Sequence, residues 1–195
     1  MILTHEFDKA LLHAARVHAG QLRKKTEIPY LAHPLGVASI ALEYGATETE
    51  AIAALLHDAV EDGGGRPEYE SILQEFGAEV AEIVDGCTDT YEDPKPPWKI
   101  RKEEYIGRLR KESQCVCLVS VSDKLHNARA ILKDFRRIGD EVFERFEGKK
   151  ADTLWYYREL VEVFREKGFH EELVKELDRV VSEIERLANP PKMGN

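Results

Sequence analysis

Apolar residues recur along most of this chain at intervals of three and four, the spacing that gathers them on one face of a helix. Phe7, Leu11, Ala14 and Ala15 do so first, with Thr4 ahead of them as an N-cap. A second helix is predicted from about Pro34 to Tyr44, stopped by Gly45. A third begins near Thr49 and carries Ile52, Leu55, Leu56 and Ala59 as far as Asp62, where Gly63-Gly64-Gly65-Arg66-Pro67 breaks the chain. Tyr69 to Phe76 and Val80 to Val84 read as short helical pieces around Gly77. Residues 87–97 are polar and end in Asp93-Pro94-Lys95-Pro96-Pro97, which predicts a mobile loop ahead of a helix from roughly Trp98 to Lys111. The most apolar stretch, Cys115 to Val121, suggests a buried strand when taken alone, yet Leu125, Ala128 and Leu132 continue from it at helical intervals. Two amphipathic helices close the chain, about Lys149 to Lys167 and His170 to Leu187, the second with Leu173, Leu177, Val180, Ile184 and Leu187 in one stripe. Asn189-Pro190-Pro191 ends it. The pattern contains no repeat and predicts one all-α domain over residues 1–188, with a flexible tail over 189–195.

Composition narrows the classes. At 195 residues the chain can bury one good core and is short for two domains. No apolar run approaches the roughly 18 residues that span a bilayer. The start, Met1-Ile2-Leu3-Thr4-His5-Glu6, lacks the basic and apolar regions of a secretory signal. Cys87, Cys115 and Cys117 are odd in number and contain no CxxC, so reduced thiols in a cytoplasmic protein are expected. A formal net charge of −9 argues against nucleic acid as a partner, as the hydropathy does against membrane; a homo-oligomer stays open. A small anionic substrate remains compatible, because Arg16, Arg23, Lys24 and Lys25 concentrate positive charge locally.

The candidate chemistry lies in three segments: His33-Pro34, the run Leu55-Leu56-His57-Asp58-Ala59-Val60-Glu61-Asp62, and Ser122-Asp123-Lys124-Leu125-His126-Asn127. Two imidazoles and two carboxylates, from His33, His57, Asp58 and Asp123, make a mixed nitrogen and oxygen set suited to a divalent transition ion. Four protein ligands leave two octahedral positions open, for water and a phosphate oxygen; a closed structural zinc site leaves none. Positions four apart share a helical face, which pairs His57 with Glu61, Asp58 with Asp62 and Asp123 with Asn127. Glu61, aided by Asp62, then stands where a general base must stand. These features describe a metal-dependent hydrolase.

The same residues carry a family likeness. His18-Ala19-Gly20-Gln21-Leu22-Arg23-Lys24 with Pro29-Tyr30-Leu31-Ala32-His33-Pro34, then His57-Asp58-Ala59-Val60-Glu61-Asp62, then Asp123-Lys124-Leu125-His126-Asn127-Ala128-Arg129, occur in this order between residues 18 and 129. The chain resembles the HD-domain phosphohydrolases, and within them the hydrolase half of the RelA/SpoT proteins and their small stand-alone relatives. That likeness implies an all-α HD-type bundle, with 115–121 inside a central helix. It implies Mn²⁺ as the cofactor and the acidic pair Glu61 and Asp62 as the catalytic base. It sets Arg23, Lys24 and Asn127 against a guanosine nucleotide, and makes guanosine 3′-diphosphate 5′-diphosphate (ppGpp) the expected substrate, with pyrophosphate released. The chain is too short for the synthetase domain of the long relatives, so degradation of the nucleotide is expected and synthesis is not. Three departures from the family pattern stand out: Gly63-Gly64-Gly65-Arg66 replaces Thr and a short acidic turn, Ser120 replaces Lys, and Ala130 replaces Thr. Other readings of the site are a different nucleotide phosphatase, of 5′-nucleotidase or NADPH-phosphatase type, or a nucleotide-sensing module without turnover. His126 and His18 are expected behind the ligands, Tyr156 and Tyr157 in the core, and His5, His13 and His170 apart from the chemistry.

Overall fold

The computed structural model describes residues 2–92 and 94–190 and is helical throughout. In chain order the helices are α1 (His5–Val17), α2 (Ala32–Glu43), α3 (Glu48–Leu56), α4 (Ala59–Gly63), α5 (Arg66–Phe76), α6 (Ala78–Cys87), α7 (Trp98–Leu109), α8 (Gln114–Ile138), α9 (Lys149–Lys167) and α10 (Glu171–Ala188). A 3₁₀ helix over Gly139–Arg145 joins α8 to α9. Among the described residues the only strand-like feature is one antiparallel bridge, Leu22 to Pro29, which closes the turn between α1 and α2. The all-α expectation holds. Of the tail predicted over 189–195, residues 191–195 lie outside the described residues.

Helix α8 is the axis of the molecule, with α2, α3, α6 and α10 packed on it. Ser113 caps it by accepting from the Val116 amide at 3.3 Å. Val116, Leu118, Val119, Val121 and Leu125 are all buried, which explains the strand-like composition of this stretch. A helix surrounded on every side is apolar all round, and periodicity then carries no signal. Leu55, Leu56, Leu118, Leu125, Leu160, Leu173 and Leu177 are almost completely buried, each contributing roughly 1.5–3 kcal/mol of transfer free energy.

Two expectations need correction. The third helix does not run unbroken from Thr49 to Asp62: α3 ends at Leu56, His57 is its C-cap, and Asp58, at φ −98° and ψ −4°, starts α4. Helical register across 57–58 is therefore lost, and the sequence pattern missed this because the flanking apolar residues are buried on both sides of the break. The proline-rich segment is tied to α7 by three hydrogen bonds. Arg108 donates to the carbonyls of Thr88 and Asp89, at 2.8 and 2.9 Å, and Arg101 Nε donates to that of Pro96 at 3.0 Å. Arg66-Pro67, expected as a break, instead opens α5, because proline fits a helix's first turn.

Candidate metal centre and its cavity

Three helix ends and the middle of α8 meet at one point. His33 lies in the first turn of α2, His57 and Asp58 at the α3–α4 break, and Asp123 three turns into α8. The donor atoms of His33, His57 and Asp58 lie within 4.8 Å of one another. His33 Nε2 is 3.3 Å from Asp58 Oδ2 and 3.1 Å from Asp123 Oδ1; His57 Nε2 is 3.1 Å and 3.8 Å from the same two atoms.

The surrounding bonds fix which atoms face inward. His57 Nδ1 donates to the Ala54 carbonyl at 2.8 Å, which leaves Nε2 directed at the carboxylates. That nitrogen is buried and, despite its closeness to Asp58, has no aligned hydrogen-bond partner among the described residues. His33 Nδ1 meets His126 Nδ1 at 2.8 Å. Burial, with the charge of His33 nearby, lowers the His126 pKa to about 4, so His126 is neutral and its Nδ1 can accept the His33 proton. Tyr30 Oη donates to Asp58 Oδ2 at 2.7 Å. Asp123 is gripped from both sides, Oδ2 by Lys124 Nζ at 2.6 Å and Oδ1 by Asn127 Nδ2 at 2.5 Å.

Burial opposes ionisation of Asp58, but the neighbouring His57 and His33 hold its carboxyl well below the usual range. At Asp123 burial is likewise outweighed, chiefly by Lys124. Burial also opposes charge on His57, yet Asp58 overrides it and raises its pKa to about 9. The cluster thus demands a positive charge at its centre. A divalent ion answers that demand for all four side chains and gives the orphaned His57 nitrogen a partner, so the residues fit the group.

Beside the cluster opens a cavity of about 500 Å³. Arg23, Lys24, Glu61, Asp62 and Asn127 all line it, so the expected catalytic and binding residues share one chamber. Glu61 Oε1 is 2.6 Å from Lys95 Nζ. Asp62 Oδ2 accepts from Gln21 Nε2 at 2.9 Å, and Gln21 Oε1 in turn contacts His18 Nδ1 at 2.7 Å. Arg23 Nη2 donates to Asn127 Oδ1 at 2.7 Å, with its guanidinium 5.8 Å from the Tyr30 ring centroid.

Part of the expected basic cluster is elsewhere. Arg16 does not line the cavity, and Lys25, held at φ 56° in the turn after Lys24, points away to bond the Glu144 carbonyl at 2.7 Å. The positive charge comes instead from Lys95, Arg101, Lys102, Lys124, Lys133 and Arg145. Sequence reasoning missed these, and it missed Tyr30 and Gln21 as well. Both stand inside the quoted motif blocks, which was the available signal. His13 serves the fold, its ring bonded to Glu68 at 2.6 Å and Glu75 at 3.0 Å to tie α1 to α5.

Residues 10–152 match the family model described as "HD domain". The chain is 40% identical over 171 residues to a Danio rerio protein named guanosine-3′,5′-bis(diphosphate) 3′-pyrophosphohydrolase MESH1, covering 80% of this chain and 90% of that one. It is 37% identical over 129 residues to the GTP pyrophosphokinase of Myxococcus xanthus, which covers 63% of this chain but 17% of that protein. Against the long relatives in general it spans between 14% and 20% of their length. A solved structure titled as a metazoan ortholog of SpoT that hydrolyzes ppGpp superposes with a TM-score of 0.61 at 28% identity, covering 86% of this chain and 98% of that one.

Proposed function

The chain belongs to the HD-domain family, and on that premise we propose that it is a metal-dependent phosphohydrolase acting on ppGpp, yielding GDP and pyrophosphate. The observation that carries the reading is the convergence of His33, His57, Asp58 and Asp123 behind Tyr30, Lys124 and Asn127, which bond Asp58 and Asp123 and line the cavity that Glu61 and Asp62 also line. The likeness to the Danio rerio protein, which the chain covers almost end to end, supports the substrate.

In this reading those four side chains hold the metal, Mn²⁺ in first place. When bound, the ion supplies Lewis-acid polarisation of the phosphoryl group and lowers the pKa of a water. The chain's own residues do the rest. His126 and the Ala54 carbonyl hold the two imidazoles with Nε2 inward, Tyr30 fixes the inward oxygen of Asp58, and Lys124 fixes the outer oxygen of Asp123. Glu61 takes the proton from the attacking water, with Asp62 anchored beside it by Gln21. Arg23, Lys24 and Asn127 bind the nucleotide, Arg23 with a fork and Lys24 with a point charge. A charge-rich nucleotide substrate of this kind fits a protein of the cytoplasm; no helix among the described residues is long and apolar enough to cross a membrane.

A second reading, hydrolysis of a different nucleotide phosphate, is favoured by one position: Ala130 lines the cavity where the family pattern has Thr, and so offers no hydroxyl to a nucleotide. Glu61→Gln separates a hydrolase from a sensing module. The variant should keep its metal, read by elemental analysis, while turnover falls by about 10²-fold or more. Loss of metal in the variant would contradict the assignment of Glu61 as base.

A further inference from the structure

The helix that carries the acidic pair is braced from outside. At five residues α4 is too short to be stable alone, and the break at 57–58 cuts it off from α3. Two side chains of the turn between α1 and α2 bond its two ends: Tyr30 Oη donates to Asp58 at 2.7 Å, and Gln21 Nε2 to Asp62 at 2.9 Å.

One buried ring stands behind both of these donors. His18, the C-cap of α1, has its side chain fully removed from solvent. The ring lies on that of Tyr30, with centroids 4.8 Å apart and planes tilted by 32°. Its Nδ1 is 2.7 Å from Gln21 Oε1, while Nε2 is buried with no hydrogen-bond partner among the described residues. The Asp62 carboxylate accepts, so Gln21 turns its amide nitrogen toward it. The amide oxygen then faces His18, and it too can only accept, which puts the imidazole proton on Nδ1. Without that N–H the Gln21 amide is free to reverse and set an oxygen against the carboxylate. The backbone holds the three residues together. The Gln21 amide donates to the His18 carbonyl at 3.1 Å across a turn with Gly20 at φ 76°, and the Tyr30 amide donates to the Gln21 carbonyl at 2.8 Å.

We propose that His18 is a positioning residue for the hydrolysis. Through Gln21 it aims Asp62, and through Tyr30 it steadies Asp58, so one side chain sets the spacing between the metal and the acidic pair. The Gln21 arm rests on the hydrolase reading above; the Tyr30 arm rests only on Asp58 as a metal ligand.

Two substitutions divide the ring's roles. His18→Phe keeps an aromatic ring against Tyr30 and removes the Nδ1 donor, whereas His18→Asn keeps an N–H and removes the ring. Both are compared with wild type, Gln21→Met and the His18→Phe/Gln21→Met double variant. The readouts are steady-state hydrolysis of ppGpp and calorimetric titration of Mn²⁺ into the metal-stripped full-length protein. His18→Phe should lower kcat by about ten-fold or more, with KM and Mn²⁺ affinity within about two-fold of wild type. Gln21→Met should match it, and the double variant should fall no further, because both changes cut one connection. His18→Asn should keep more of kcat than His18→Phe and weaken Mn²⁺ binding by about ten-fold. Gln21 is half-buried, so Gln21→Met tests the same connection if a His18 variant does not fold. An unchanged kcat in His18→Phe or Gln21→Met, or a double variant whose losses multiply, would overturn the proposal. Failure of the wild-type protein to release pyrophosphate from ppGpp would instead sink the hydrolase reading. Weaker Mn²⁺ binding in His18→Asn than in His18→Phe would still support the brace, and equal binding would overturn it.

Discussion

Gly36 shows how closely the residues behind the metal ligands are fitted. A Cβ at this position would meet the His126 ring at 2.3 Å, so only glycine lets that imidazole lie against His33. Gly36→Ala should displace His126, free the His33 tautomer and weaken Mn²⁺ binding by about 10- to 100-fold, the range for outer partners of metal ligands. Metal titration checks this; unchanged affinity would show that His126 does not orient His33. The four candidate ligands and the acidic pair were legible in the sequence because each sits in a compact local pattern. Their partners were not. Lys95 reaches Glu61 across 34 positions and Arg23 reaches Asn127 across 104, separations over which no spacing rule operates.

At the scale of elements, the helices could be read wherever one face is solvated, as in α1 and α10. Where an element is buried all round the pattern weakened: it hid the α3–α4 break, and Cys115 to Val121 was legible as helix only through Leu125, Ala128 and Leu132 beyond it and through the family likeness. The segment between α6 and α7 has anchors that lie in α7, out of reach of its own composition. Asp89 is central to that anchoring, with Arg101 and Lys102 both bonded to its buried carboxylate. Burial raises its pKa, but Lys102 and Arg101 more than compensate and lower it below the usual value. A depressed carboxylate pKa contributes stability that is present above about pH 4, the unfolded value, and is lost as pH falls through the folded one. Asp89→Asn should therefore flatten the acid limb of a stability-against-pH curve. Asp89→Ala, which removes the carboxylate that Arg101 and Lys102 share and leaves Arg101 only Glu147, should cost about 3–5 kcal/mol in urea unfolding. An unaltered acid limb in the Asn variant would show that the pair contributes nothing to the fold.

For the whole molecule, the formal net charge of −9 and the basic cavity pull in opposite directions. Eight lysines and arginines line that cavity against four carboxylates, so the local field is positive although the protein is acidic. Total composition argued against nucleic acid as a partner and left a small anion open, because the charge is gathered only by folding. Raising ionic strength from about 0.05 M to about 0.5 M should raise the KM for ppGpp several-fold with little effect on kcat, since screening weakens capture more than chemistry in a closed site. A salt-independent KM would mean that these side chains do not steer the substrate.

The most direct measurement is product analysis on metal-stripped, Mn²⁺-reloaded protein given ppGpp, with GTP, deoxynucleoside monophosphates and NADPH in parallel. GDP plus pyrophosphate from ppGpp, abolished by Asp58→Ala, is the predicted result. Orthophosphate from another nucleotide with ppGpp untouched, or no turnover of any of them despite bound metal, would contradict it.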